Sequence, residues 1–188
     1  MAGGPPSNTG TQIYSNGSNS GITAGVISIT SGNQSYGILG QSVNGNVSID
    51  LKNSSRATNS ITISASSTAS NNIGIAGNAT GSGNVSVTLG QNNAISVTGD
   101  DSRGIDAQSL SGNVAVTTQT GSSITIAANS SSGTEEDALG FDRSAGIRAT
   151  INGTGAGNIN VTTNGTITVS NFSGNGTHGI RDRKSTRL

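Results

Sequence analysis

Three short elements recur down the chain in an order that never changes, and this repeat narrows the possible folds more than any other feature. The first element is Gly-Ile, at Gly37-Ile38, Gly74-Ile75, Gly104-Ile105, Gly146-Ile147 and Gly179-Ile180, with a truncated copy at Gly21-Ile22-Thr23-Ala24. The second reads Gly45-Asn-Val-Ser-Ile49, Gly83-Asn-Val-Ser-Val87, Gly112-Asn-Val-Ala-Val116 and Gly157-Asn-Ile-Asn-Val161. The third reads Ile61-Thr-Ile63, Ile95-Ser-Val97, Ile124-Thr-Ile126 and Ile167-Thr-Val169. Successive Gly-Ile pairs lie 37, 30, 42 and 33 residues apart, so the elements stay constant while their connections vary.

A strand carrying Val-x-Val or Ile-x-Ile points both β-branched residues one way and the middle residue the other. The middle residues are Ser48, Ser86, Ala115 and Asn160 in one element, and Thr62, Ser96, Thr125 and Thr168 in the other. That is apolar in and mostly polar out. Each strand is too short to stand alone, so coils must stack. The pattern predicts an all-β chain folded as a three-sided parallel β-helix, or β-solenoid. It has four full coils plus partial ends, each about 4.8 Å above the last. Gly and Asn at the corners are expected to take left-handed backbone angles. If the Gly-Ile elements stack in register, Asp106 and Arg148 share an outward position on successive coils. They are then expected to meet as an exposed ion pair worth about 0–1 kcal/mol.

Composition bears on this reading because it would otherwise suggest disorder. Gly, Ser, Thr and Asn supply 105 of 188 residues, against 37 for Ile, Val, Leu and Phe, a balance too polar for an ordinary globular core. Yet 29 of those 37 are Ile or Val, the residues strands prefer. A solenoid needs only a narrow apolar column, and hydrogen bonds between coils supply much of its order. The same composition disfavours a helical bundle and a doubly wound α/β enzyme. The absence of Cys excludes a disulfide scaffold, a thiolate metal site and a Cys nucleophile.

Three segments follow. Residues 1–20, with two prolines and little apolar content, are expected to be poorly ordered; residues 21–180 carry the repeats; residues 181–188 break the pattern. That last stretch, Arg181-Asp-Arg-Lys-Ser-Thr-Arg-Leu188, resembles translated read-through of a sequencing adapter, which implies that the natural chain runs on into further coils. Residues 130–143 form the longest insertion, with Glu135, Glu136 and Asp137 as a solvated acidic tip. Net charge is zero, but residues 1–180 hold five basic against eight acidic residues. No basic stripe suggests nucleic acid, no apolar run is long enough for a membrane helix, and residues 1–8 do not read as a signal peptide.

Chemistry is sparse. The carboxylates Asp50, Asp100, Asp101, Asp106, Asp137 and Asp142 form no evident acid/base pair, and no aromatic platform is expected beside them. Asp100 and Asp101 read as turn residues. His178, the single histidine, reads as an exposed corner residue rather than a triad base. One His and no Cys leave no zinc set, and Gly153-Thr-Gly-Ala-Gly157 lies between strands, not before a dinucleotide-binding helix. No catalytic, cofactor-binding or metal residue is therefore assigned, and no cofactor is expected. An ice-binding face would need two outward Thr per strand; the repeat offers one outward polar residue, so that reading ranks last.

The motifs Gly104-Ile-Asp-Ala107, Gly146-Ile-Arg-Ala149, the Gly-Asn-Val-x-Val elements and Asn164-Gly-Thr-Ile-Thr-Val169 resemble the passenger region of Gram-negative autotransporters and related adhesins, over roughly residues 21–180. The resemblance implies a right-handed β-helix displayed at the bacterial cell surface or secreted. It further implies delivery by an outer-membrane β-barrel translocator that this chain does not contain. The expected function is a non-enzymatic adhesin segment: a rigid stalk presenting loops to an unidentified protein or glycan ligand, with no nucleic-acid partner and no membrane insertion of its own. The alternative is a fragment of a carbohydrate-active β-helix lyase or hydrolase whose catalytic coils lie elsewhere. Such motifs specify a scaffold, so no functional residue is carried over.

Overall fold

The structure, a computed structural model, describes residues 11–14, 26–30, 34–51, 59–64, 70–128, 144–171 and 178–184. These contain strands and turns and no helix. The strands are β1 (Thr11–Tyr14), β2 (Val26–Ile29), β3 (Tyr36–Ser42), β4 (Val47–Leu51), β5 (Ser60–Ile63), β6 (Ile73–Ala79), β7 (Val85–Leu89) and β8 (Ala94–Thr98). They continue with β9 (Arg103–Ser109), β10 (Val114–Thr118), β11 (Ser123–Ala128), β12 (Ala145–Ile151), β13 (Ile159–Thr163), β14 (Thr166–Asn171) and β15 (His178–Lys184).

These strands build three parallel sheets. Sheet 1 holds the Gly-Ile strands in the order β1-β3-β6-β9-β12-β15, sheet 2 holds β4-β7-β10-β13, and sheet 3 holds β2-β5-β8-β11-β14. The chain visits sheets 1, 2 and 3 in turn four times, from β3 to β14. This is the expected three-sided parallel β-helix, with four full coils and partial ends. The six rungs of sheet 1 span about 24 Å at the usual strand spacing.

Register is strict, and it aligns the motifs with one another. Ile38 pairs with Ile75, Ile75 with Ile105, and Ile105 with Ile147. Val47, Val85, Val114 and Ile159 align on sheet 2, and Ile61, Ile95, Ile124 and Ile167 on sheet 3. These columns fill the interior, and through the third coil their members are almost fully buried. At the fourth coil Ile159, Val161, Ile167 and Val169 are only half-buried.

The corners follow the expected rule in part: Asn71, Asn92, Gly99 and Gly121 take left-handed angles, but the motif glycines do not. None of the described glycines in the Gly-Ile and Gly-Asn motifs has a positive φ; the left-handed residues are Gln34, Asn71, Asn92, Asp101, Gly99 and Gly121. The motif glycines are there for clearance. A Cβ on Gly74 or Gly104 would fall within 3.0 Å of Ile95 or Ile124 Cγ2, and of the next motif glycine's carbonyl oxygen. A Cβ on Gly83 or Gly112 would meet the carbonyl oxygen of the Gly one coil below. The asparagines form a ladder: the backbone N–H groups of Asn84, Asn113 and Asn158 each donate 2.8 Å bonds to the side-chain oxygen of the Asn one coil below. The other two corners are also tied between coils through side chains, by Asn59 N–H to Asn93 Oδ1 (2.8 Å) and by Ser35 N–H to Asn72 Oδ1 (3.0 Å). The left-handed Asn71, Asp101 and Asn92 each precede a buried polar corner residue, Asn72, Ser102 or Asn93.

Strands of sheet 1 are also found in both terminal segments. Within the stretch read as poorly ordered, Thr11–Tyr14 pair in parallel with β3. Within the off-pattern tail, Arg181–Lys184 continue β15 along β12. A parallel ladder is made of backbone groups, so an edge strand can form on an open edge whatever its side chains. Asp182 and Lys184 there take the register of the core residues Ala149 and Ile151, and both are exposed.

The clearance argument makes a paired prediction. Gly104→Ala should lower unfolding free energy by about 3 kcal/mol, the upper range for overpacking a filled site. Gly179 has nothing within 4 Å of its Cβ position, so Gly179→Ala should change stability by less than about 0.5 kcal/mol. Urea denaturation of the two variants checks this; equal midpoints would refute it.

Candidate functional site

The Gly-Ile motif shapes the outside of sheet 1 as well as its inside. Gly and Ile face the core in succession, the Gly position aimed at the sheet 3 isoleucines and the Ile within the interior cluster. Two successive inward residues break the alternation of a flat strand. The residues flanking the pair therefore face the outside together: Tyr36 with Leu39, Ile73 with Ala76, and Arg103 with Asp106. They line one groove of about 350 Å³ that runs across β3, β6, β9 and β12.

The groove changes character along the rod. At β3 and β6 its floor is apolar: Leu39, Ile73 and Ala76 are buried against half-buried Tyr36, in a cluster separate from the main core. At β9 and β12 it is charged, with Arg103, Asp106 and Arg148 exposed by only 4%, 3% and 8%. Amide side chains border it, Gln41, Asn78 and Gln108 in register on one side, with Gln34 and Asn71 also lining it.

Asp106 and Arg148 share the register position expected of them. They meet in a bidentate pair, Nε to Oδ1 at 2.9 Å and Nη2 to Oδ2 at 2.5 Å. The expected exposure is wrong, however, because the concave face buries both. Gln108 donates its amide to both Asp106 oxygens, at 3.0 and 3.1 Å, and accepts from Asn152 Nδ2 at 3.1 Å. The carboxylate is thus fully engaged as an acceptor. A buried pair of this kind is sensitive to loss of one partner, which strands the other charge.

The remaining carboxylates do not converge on this groove. Asp50 lies on the outside of sheet 2, aligned with Thr88. Asp100 and Asp101 sit at the corner before β9, where the Asp100 carbonyl accepts from Asn71 N–H at 2.9 Å and Asp101 takes φ 50°; they are turn residues, as read. Asp137, Asp142 and the acidic tip lie outside the described residues. Tyr36 lines the same groove as Asp106 but stands two rungs away on sheet 1, in register with Arg103 rather than with Asp106. His178 is not an exposed corner residue but opens β15, half-buried, its N–H donating to the Ser144 carbonyl at 3.0 Å. Among the described residues no His/Cys/Asp/Glu group could hold a metal ion, and no helix is long and apolar enough to cross a membrane.

Sheet 3 presents a flatter exterior. Its strands offer three outward positions rather than the one expected, such as Ala94, Ser96 and Thr98 on β8 and its flanks. Only β14, with Thr166 and Thr168, places two Thr on one rung, so the face does not form a Thr-x-Thr array.

Sequence reasoning missed Tyr36, Arg103 and the bordering amides. Superposing the repeats on Gly-Ile would have found them, since Tyr36, Ile73 and Arg103 all immediately precede the glycine. No family model matches the chain, and no curated protein or solved structure is significantly similar to it.

The buried pair yields a double-mutant prediction. Arg148→Met alone should cost about 3 kcal/mol by leaving Asp106 buried without its cation. Asp106→Leu combined with Arg148→Met should recover most of that loss, because an apolar pair of similar volume carries no desolvation penalty. Additive losses in denaturant titrations would contradict this account.

Proposed function

We propose that this chain is a non-enzymatic segment of a surface-displayed or secreted adhesin, a β-solenoid passenger of the autotransporter type that acts as a rigid stalk presenting loops. The observation that carries the reading is the unbroken register of three parallel sheets over four coils, with interstrand hydrogen bonds at described corners of all three kinds. Such a rod derives its order from nearest-neighbour stacking and can be lengthened by adding coils. Its connections carry the variation, and variable loops on a constant scaffold are where binding is commonly placed. Location at the bacterial surface and delivery through an outer-membrane barrel belong to the same proposal, and rest on the motif resemblance. So does continuation of the natural chain beyond the residues that resemble adapter read-through.

The enzymatic alternative has less support. Glycoside hydrolysis ordinarily needs two carboxyl groups flanking the scissile bond, roughly 5–10 Å apart. The described lining of the groove holds one carboxylate, Asp106, already bound to Arg148 and Gln108. That arrangement suits binding better than cleavage.

Protease shaving of intact source cells tests the proposal. Peptides from residues 70–128 should be released by a brief, membrane-impermeant protease treatment, alongside known surface proteins and ahead of cytoplasmic markers. Release only after lysis would overturn the surface reading.

A further inference from the structure

We propose that the groove on the outer face of sheet 1 binds a saccharide chain. This goes beyond the stalk reading and does not depend on where the protein is displayed. A pyranose ring has one face of C–H groups and a rim of hydroxyls, so its binding site needs an apolar floor beside planar polar groups. The groove supplies both. Tyr36, Leu39, Ile73 and Ala76 make an apolar floor at β3 and β6. Gln41 and Asn78 stand in register beside it on successive rungs, about 4.8 Å apart, a spacing comparable to one sugar ring. Each amide offers both a donor and an acceptor, the combination that vicinal hydroxyls require. The side-chain amides of Gln34, Gln41, Asn71 and Asn78 make no hydrogen bond among the described residues, whereas Gln108 is already engaged.

The floor is a sheet face, with its backbone groups committed to the strands on either side. An extended peptide that recognised backbone would need an open strand edge instead. Recognition here must come from side chains, and aromatic, amide and guanidinium groups are those the groove contains. Arg103, Asp106 and Arg148 close the groove at its β9 and β12 end, with Arg148 bound to Asp106. The buried Asp106–Arg148 pair fixes the charged end of the groove in shape, so little ordering is needed on binding.

The test is isothermal titration of the purified full chain with two hexasaccharide sets, one neutral (cello- and chito-hexaose) and one rich in uronic acid (hyaluronan and oligogalacturonate hexamers). At least one hexamer should bind. Asn78→Ala and Gln41→Ala should each weaken it about tenfold, because both remove polar contacts at half-buried outer positions, and the unfolding midpoint should stay unchanged. Ala76→Trp should fill the groove and abolish binding. Thr125→Ala, on sheet 3, should leave binding unaltered. No binding to any hexamer, or binding that survives Ala76→Trp, would overturn the site. Neither result bears on protease shaving, so this proposal and the surface reading can fail separately.

Discussion

Everything in this molecule depends on the stacking of like positions at one strand spacing. A parallel ladder places residue upon equivalent residue, so whatever one coil puts at a position must tolerate its own neighbour about 4.8 Å away. Isoleucine and valine tolerate this well, because branched carbons pack against their counterparts above and below. Glycine is required where a stacked backbone oxygen occupies the Cβ position, as at Gly83 and Gly112. Asparagine succeeds because its side chain reaches the backbone of the adjacent coil, so repetition becomes a ladder of bonds. A slip of one residue would turn each strand's apolar set outward, and the corner ladders oppose such a slip.

The groove is a by-product of the same economy. A triangular cross-section must turn the chain sharply three times, and sheet 1 absorbs part of the turning within its strands by letting Gly and Ile face inward in succession. The outer surface becomes concave as a result, and side chains meant for solvent approach one another. Asp106 and Arg148 are buried where they meet, with the Gln108 amide closing on the carboxylate. The scaffold needs only Gly-Ile and the inward residues, so the flanking positions are free to vary. Tyr36, Ile73 and Arg103 share a register and have nothing else in common. The lining of the groove can change in this way without disturbing the fold.

The legible part of the structure was the part with a period. Alternation in Val-x-Val and Ile-x-Ile revealed the inward columns, the constant order of elements revealed three sheets, and the register of Asp106 with Arg148 followed from Gly104 and Gly146. Burial of that pair was not legible, because alternation assumes flat strands and the concavity arises where alternation fails. The motif glycines were misread for a related reason. A glycine at a corner suggests left-handed φ, but clearance from a neighbouring coil is a property of the stack and is invisible in any single copy. Tyr36 escaped notice because aromatic residues were sought along the chain, whereas a solenoid brings strands from successive coils onto one face.

The rung at β15 shows what a stacked position demands of its side chain. On β12 the inward residues after Ile147 are Ala149 and Ile151, both fully buried; on β15 the same register is held by Asp182 and Lys184. While β15 is outermost, both side chains reach water and cost little. A further coil laid on it would bury a carboxylate and an ammonium at positions that elsewhere hold Ala, Ser, Gly or Ile, and burying unpaired charge is among the costliest things a fold can do. The backbone of β15 invites another strand while its side chains forbid the core behind it. At residues 181–184 the column of small and apolar inward side chains gives way to charge. A natural chain that continued the solenoid would need small or apolar residues at both positions.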